Sequence, residues 1–297
     1  MEDIFHLPNN NNTQYFYNIG PNAWQPWRKN PNASTVVIFC LGGGGSGAGG
    51  ESQAFGNTKN GGGAGGSAAY VTATFPAYLL PDELYVNVAS GGTGGIPNTA
   101  GGVGALSYVS IKSNSKSPQD CVCVSGTAGA GSGAGGTLVT GGVGGTIVTP
   151  TMANFLRLST YYAVSGLTGA AGTLNGVGIS VNALTSNVTS QGAGGGGAGG
   201  GTAGFLGGSV NGQGLCNYTI LGGSAFTNAN GTNGGDGVFV DKPFCSFGGA
   251  GGGGTGINTG GNGGNGSFGS GGGGGGGGAP GGSGGNGGPG LVIIVSC

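Results

Sequence analysis

TGGNGGNGSFGSGGGGGGGGAPGGSGGNGGP, residues 259–289, is the stretch whose spacing decides the fold. Thr259, Asn262, Asn265 and Phe268 recur at every third position with only glycine between them, Ser267 excepted. Pro280, Ser283, Asn286 and Pro289 repeat that spacing with glycine alone between. Three residues per turn is the period of the polyproline II helix, which rises about 3.1 Å per residue and has no internal hydrogen bonds. Every X of a Gly-Gly-X run therefore returns to one edge, and the other two edges are bare backbone. Bare edges let neighbouring helices approach closely enough for lateral N–H to O=C bonds, the pairing that buried backbone requires.

Moving outward, the same spacing is echoed by Thr93 with Ile96, Val143 with Thr146, and Ala64 with Ser67. The chain holds 83 glycines in 297 residues but only 12 prolines. Collagen needs glycine at every third position and abundant proline, so it is excluded. Each glycine costs about 0.5–1 kcal/mol relative to alanine in regular structure. Only backbone pairing on a large scale offsets that cost, so the runs are expected to lie side by side as a bundle of polyglycine II helices. A flexible linker is not expected, because the glycine runs alternate with β-patterned apolar segments.

Those segments are 35–41, 69–75, 84–89, 106–111, 121–124, 178–183, 217–221, 238–240 and 291–295. Alternation is clearest where Ala69, Val71, Ala73 and Phe75 share one face and Tyr70, Thr72 and Thr74 the other. Helical periodicity is suggested only at 151–158. The fold class expected is all-β and irregular: a small antiparallel β-sandwich combined with the polyglycine II bundle and almost no α-helix. Three stretches follow: an aromatic and Asn-rich anchoring segment at 1–35, strands alternating with glycine runs at 36–150, and a glycine-rich region with loops and a C-terminal strand at 151–297.

Charged residues make up 5% of the chain and the net charge is −1, so the basic footprint of a nucleic-acid binder is missing. The start, MEDIFHLPNNNN, lacks the basic and apolar regions of a secretion signal, which implies synthesis in a cytoplasm without export. The apolar runs at 35–41 and 291–295 are too short to span a bilayer. Membrane insertion is therefore not expected. The six cysteines form no paired CxxC motifs and His6 is the single histidine, so no metal site is expected. Cys121 and Cys123 point from one face of a strand, as buried free thiols do.

The glycines after 35–41 imitate a dinucleotide loop, but no helix-forming segment follows. Asp82 and Glu83 are adjacent turn carboxylates, and His6 has no nucleophile motif to serve. No catalytic constellation and no cofactor are expected; the chain reads as a non-enzyme.

Longer interruptions of the glycine pattern fall at 51–60, 113–120, 150–162, 205–230 and 238–247. They carry Phe155, Tyr161, Tyr162, Tyr218, Phe226 and Phe244 beside amides and hydroxyls. Aromatic faces among neutral hydrogen-bonding groups suit sugar rings or protein loops, and they equally suit capping of the bundle ends. Tyr15, Tyr17, Trp24 and Trp27 concentrate in the first 35 residues and mark that segment as an anchor to another protein or another copy. Residues 1–30 are on this reading removable without unfolding the bundle.

The opening NAWQPWRKNPNASTVVIFCLGGGGSGAGG, the unit GGAGGSAAYVTATFPAYLLPDELYVNVASGGTGG and the ending GGNGGPGLVIIVSC resemble the glycine-rich tail proteins of tailed phages. The arrangement is also similar to T-even tail-fibre adhesins, in which a polyglycine II sandwich carries variable receptor-binding loops. The resemblance implies a virion protein, with other virion proteins and a host surface protein or polysaccharide as partners. It makes the interruptions candidate receptor-binding loops and implies that 150–162, 205–230 and 238–247 gather at one end. A homo-oligomer is compatible with it. Two other readings are a purely architectural tail, collar or capsid spacer, and an ice-binding polyglycine II protein. The latter class is secreted and disulfide-stapled, whereas this chain shows no secretion signal and is rich in aromatic residues.

Overall fold

The computed structural model describes residues 12–129, 131, 140–146, 160–182, 190–191, 193–212, 216–241 and 244–297. Its strands are β1 (Asn12–Phe16), β2 (Trp24–Arg28), β3 (Thr35–Leu41), β4 (Tyr70–Pro76), β5 (Glu83–Asn87), β6 (Tyr108–Ser110), β7 (Cys121–Val124) and β8 (Thr160–Val164). Two-residue strands follow at β9 (Val181–Asn182), β10 (Ser190–Gln191), β11 (Val210–Asn211), β12 (Thr219–Ile220), β13 (Phe239–Val240) and β14 (Cys245–Ser246), before β15 (Leu291–Ser296). The all-β expectation holds: one short 3-10 turn, Ala77–Leu79, is the helical element among the described residues. The segment 151–158 lies outside them.

Two sheets form the sandwich. The first has the order β1-β15-β3-β4-β8 and the second β2-β5-β6-β7, all antiparallel. Between them pack Val36, Ile38, Cys40, Val71, Ala73, Phe75, Val292 and Ile294 against Trp27, Leu84, Val86, Val109 and Cys123. The first sheet is buried on its other face too, where Val37, Phe39, Leu41, Tyr70, Leu291, Ile293 and Val295 meet Phe244. Burial on both faces is why TVVIFCL and LVIIVS are continuously apolar and do not alternate. The strand β15, from the end of the chain, sits between β1 and β3, so the three stretches delimited by composition interleave in space.

The strands of the sandwich continue as glycine runs. In run 42–51, which extends β3, the backbone donors rotate among three neighbours. Gly43, Ser46 and Gly49 bond Ala105, Gly102 and Thr99; Gly44, Gly47 and Gly50 bond Gly288, Gly285 and Gly282; Gly45, Ala48 and Glu51 bond Gly66, Gly63 and Asn60. The same run accepts from Gly92, Gly95 and Asn98, from Gly272, Gly275 and Gly278, and from Gly129. Six segments therefore surround it. Run 271–278, eight consecutive glycines, is likewise bonded to 42–51, 60–69, 193–200, 247–256, 259–268 and 280–290.

These neighbour relations close into a hexagonal lattice of four rows. Runs 90–98, 280–290, 259–268 and 230–238 form the first; 99–105, 42–51, 270–278, 247–256 and 219–225 the second. Runs 125–129, 60–69, 193–200 and 205–212 form the third, and 140–146, 165–173 and 176–182 the fourth. The period of three thus produces the bundle, and side-chain content tells where a run sits. Away from their ends, surrounded runs hold only glycine, alanine and serine, because a Cβ on most of their glycines would overlap a neighbouring carbonyl. Outer runs carry a larger side chain every third residue, as at exposed Thr259, Asn262 and Asn265.

Those outer side chains also finish the hydrogen bonding of the first row. Asn230, Asn233 and Asp236 accept from the backbone N–H of Thr259, Asn262 and Asn265, at 3.3, 2.9 and 2.7 Å. Asn262 and Asn265 pass the pattern on to Ser283 and Asn286, and Asn286 to Gly94. The outward N–H groups that a polyglycine II edge leaves unpaired are satisfied by an asparagine or aspartate side-chain oxygen of a neighbouring run.

Cys216 and Cys245 are disulfide-bonded, with Cα atoms 6.5 Å apart. Cys40, Cys121 and Cys123 are buried free thiols, as their placement on one strand face predicts for the latter two. Burial pushes the Cys121 thiol up to about 11, raises that of Cys40 well above the ordinary range, and raises the Tyr161 phenol. All three are held neutral more strongly in the folded protein than in the unfolded chain. Their contribution to stability is complete below the ordinary thiol value near 9 and is lost as pH rises through the folded values. The melting temperature is accordingly expected to fall steadily between about pH 9 and 11. A flat melting temperature across that window, followed by circular dichroism, contradicts this.

Candidate functional site

The chain runs up and down through the lattice, so its turns fall at two ends. One end is the sandwich. The other, distal end collects the turns at 51–60, 96–99, 173–176, 200–205, 225–230, 255–259 and 278–281.

These turns are tied to one another. Ser52 donates its N–H to Asn98 Oδ1 at 2.8 Å and accepts from the Gly281 N–H at 2.9 Å. Glu51 Oε2 accepts from the N–H and Nδ2 of Asn60, at 2.9 and 3.0 Å. Thr255 Oγ1 donates to Ala229 O at 3.0 Å, and Phe226 bridges to Thr255. Lys59 is fully buried beneath the tip and donates from Nζ to Gly256 O at 2.7 Å. Desolvation lowers its pKa. Asn98 and Asn175 occupy positive φ, 65° and 46°, a conformation asparagine tolerates in tight turns.

What the tip offers to solvent is apolar and neutral. Phe55 is 67% exposed and Phe226 44%, with Ile96, Leu174 and Ile257 also exposed at neighbouring turns. Around them stand Asn57, Asn98, Asn175, Asn228 and Asn258. Five separate turns thus each raise one large apolar side chain beside an amide. Large rigid apolar groups ringed by neutral hydrogen-bonding groups are what recognition hot spots are made of.

The residues named from sequence are distributed differently from the expected single cluster. Phe226 is at the distal tip. Tyr218, at the other end of run 219–225, lies at the sandwich end with its ring 6.5 Å from that of Phe247. Tyr161 packs on the sandwich core opposite Ala73, and exposed Tyr162 faces Tyr70 across 6.5 Å. Phe155 lies outside the described residues. Phe244 is corrected outright: it is 1% exposed, with its ring 5.1 Å from Phe39 and 5.4 Å from Phe239. It belongs to an aromatic row that continues through Phe268 to Tyr17 and closes the sandwich against the glycine runs. Segments 205–230 and 238–247 therefore do not present one joint surface; 205–230 alone spans both ends.

Of the anchoring residues, Tyr15 and Tyr17 are exposed on and beside β1, and Trp24 is half-buried. Trp27 is fully buried in the core and offers no contact surface. Removal of residues 1–30 would take away β1, β2 and Trp27 together, so the segment is part of the sandwich and not a detachable anchor.

Phe55, Ile96, Leu174 and Ile257 were not singled out by the sequence. A signal for them exists: at five of the seven distal breaks of the three-residue period a large apolar residue is followed within two positions by asparagine. Examples are Ile96-Pro97-Asn98, Leu174-Asn175, Phe226-Thr227-Asn228 and Ile257-Asn258.

Among the described residues no group of three or more histidine, cysteine, aspartate or glutamate side chains converges as a metal site, and no helix is long and apolar enough to cross a membrane. The chain matches no protein-family model and no curated protein.

Proposed function

We propose that this protein is a virion adhesin of the tail-fibre type, non-enzymatic, whose distal turns bind a host surface while the sandwich end attaches to the particle. The observation that carries the reading is the tip: five turns from distant parts of the chain raise Phe55, Ile96, Leu174, Phe226 and Ile257 beside asparagines on one surface. The lattice supports it physically. Its glycine runs bond laterally to one another, so substitutions in the turns leave the scaffold's bonds in place, and the turns are ordered before binding. Exposed Tyr15 and Tyr17 at the opposite end suit contact with another virion protein.

The test is competition. Purified protein, added in excess to susceptible bacteria, is expected to coat them and to block adsorption of particles that carry it. Protein that incorporates into particles but coats no cell and competes with no particle would assign it the architectural role of a rigid spacer.

A further inference from the structure

Away from the tip, the junction of the sandwich with the lattice holds a cavity. Its volume is about 290 Å³, and it is lined by the turn after β1, the end of β5, the start of β6 and the β6–β7 turn. Its side chains include Asn18, Asn22, Asn87, Ser90, Tyr108 and Lys116.

The charge in it is placed and unneutralised. Lys116 Nζ donates to Asn22 Oδ1 at 2.7 Å and stands 5.4 Å from the centre of the Tyr108 ring. Asn22 itself is held at φ 60°. An ammonium has three donors, and the asparagine takes one. Lys112, four residues earlier, is paired with Asp120 at 2.7 Å, whereas Lys116 has no carboxylate partner among the described residues. Asn18 and Asn87 are oriented by their Nδ2 groups, which donate to Val88 O and Ala23 O at 2.7 and 2.8 Å. Each side-chain carbonyl is left as an acceptor.

We infer that this cavity binds one carboxylate-bearing sugar unit of the hexuronate type. A single cation, the exposed ammonium of Lys116, meets a single carboxylate. The amide carbonyls and Ser90 provide several neutral partners, as a ring bearing several hydroxyls requires. The volume is at the small end for ligand sites and is enough for one ring. Tyr108, already under the ammonium, acts to hold the cation in position.

The test is chemical-shift mapping on the isotopically labelled full chain, titrated separately with glucuronate, glucose and acetate. Glucuronate is expected to shift amides at 18–22, 87–90, 104–108 and 116 in a saturable way, with glucose and acetate each at least about tenfold weaker. Lys116→Gln should weaken glucuronate by about tenfold or more, the effect of losing a hydrogen bond to a charged group. Lys116→Arg should retain part of it, both variants keeping the parent spectrum elsewhere. Three results each overturn the inference: no localised shifts with glucuronate, equal affinity for acetate, or glucuronate binding untouched by Lys116→Gln. None of them bears on the distal tip.

Discussion

Gly274→Val is expected to abolish folding. Gly274 lies in the middle of the eight-glycine run, and a Cβ there would overlap the carbonyl of Gly62 and stand 2.8 Å from the Gly197 nitrogen. Both are backbone atoms of runs that are themselves surrounded, so neither yields as a flexible side chain does. The expected loss exceeds about 4 kcal/mol, which is a large share of a domain's stability. Gly176→Ala is the contrasting change. Its nearest neighbour would be 3.6 Å from the new Cβ and its φ is not positive, so the main effect is on the unfolded chain. A gain of about 0.4–1 kcal/mol is expected there. Denaturant unfolding of the two variants beside the parent checks both. A Gly274→Val protein that melts like the parent would mean that the runs are not packed as a lattice.

The second large effect concerns the tip. Phe55→Ser with Phe226→Ser removes the two exposed aromatic side chains of the distal turns while leaving every lattice bond in place. Anchors of this kind each cost about 2 kcal/mol or more when truncated. The double variant should therefore bind cells at least about 100-fold more weakly, with each single variant between, and unfold at the parent's temperature. Tyr218→Ser, at the other end of the same run, should bind as the parent does. Unchanged binding by a folded double variant would remove the tip as the recognition surface.

Much of the fold is legible in the sequence because two periods are written in it. The period of three marks the lattice runs, and alternation or continuous apolarity marks the central strands. β3 and β7 coincide with the segments read from sequence, and β4 and β15 differ by one residue. The hydrophobic pattern alone marks neither β1 nor β2, for physical reasons, and only the resemblance of the opening NAWQPWRKNPNASTVVIFCLGGGGSGAGG implies an aromatic, proline-containing strand at β2. NTQYF is a largely exposed edge strand with no apolar face, and WQPWR contains Pro26, which edge position alone permits. The site was less legible. Phe226, Tyr218 and Phe244 look alike as aromatics in glycine-poor interruptions, yet one is at the tip, one at the sandwich end and one in the core. Composition does not separate them; the alternating direction of successive runs does, because it assigns every turn to an end.

If the protein is an adhesin, as proposed, the most direct question is which end meets the host. A photo-crosslinking residue placed at position 55 of the tip, or at position 78 of the sandwich end, where Tyr78 is 80% exposed, answers it. With particles adsorbed to living cells, position 55 is predicted to capture a component of the cell surface and position 78 to capture none. Capture at 78 with none at 55 would contradict the assignment of the distal turns as the receptor-binding surface.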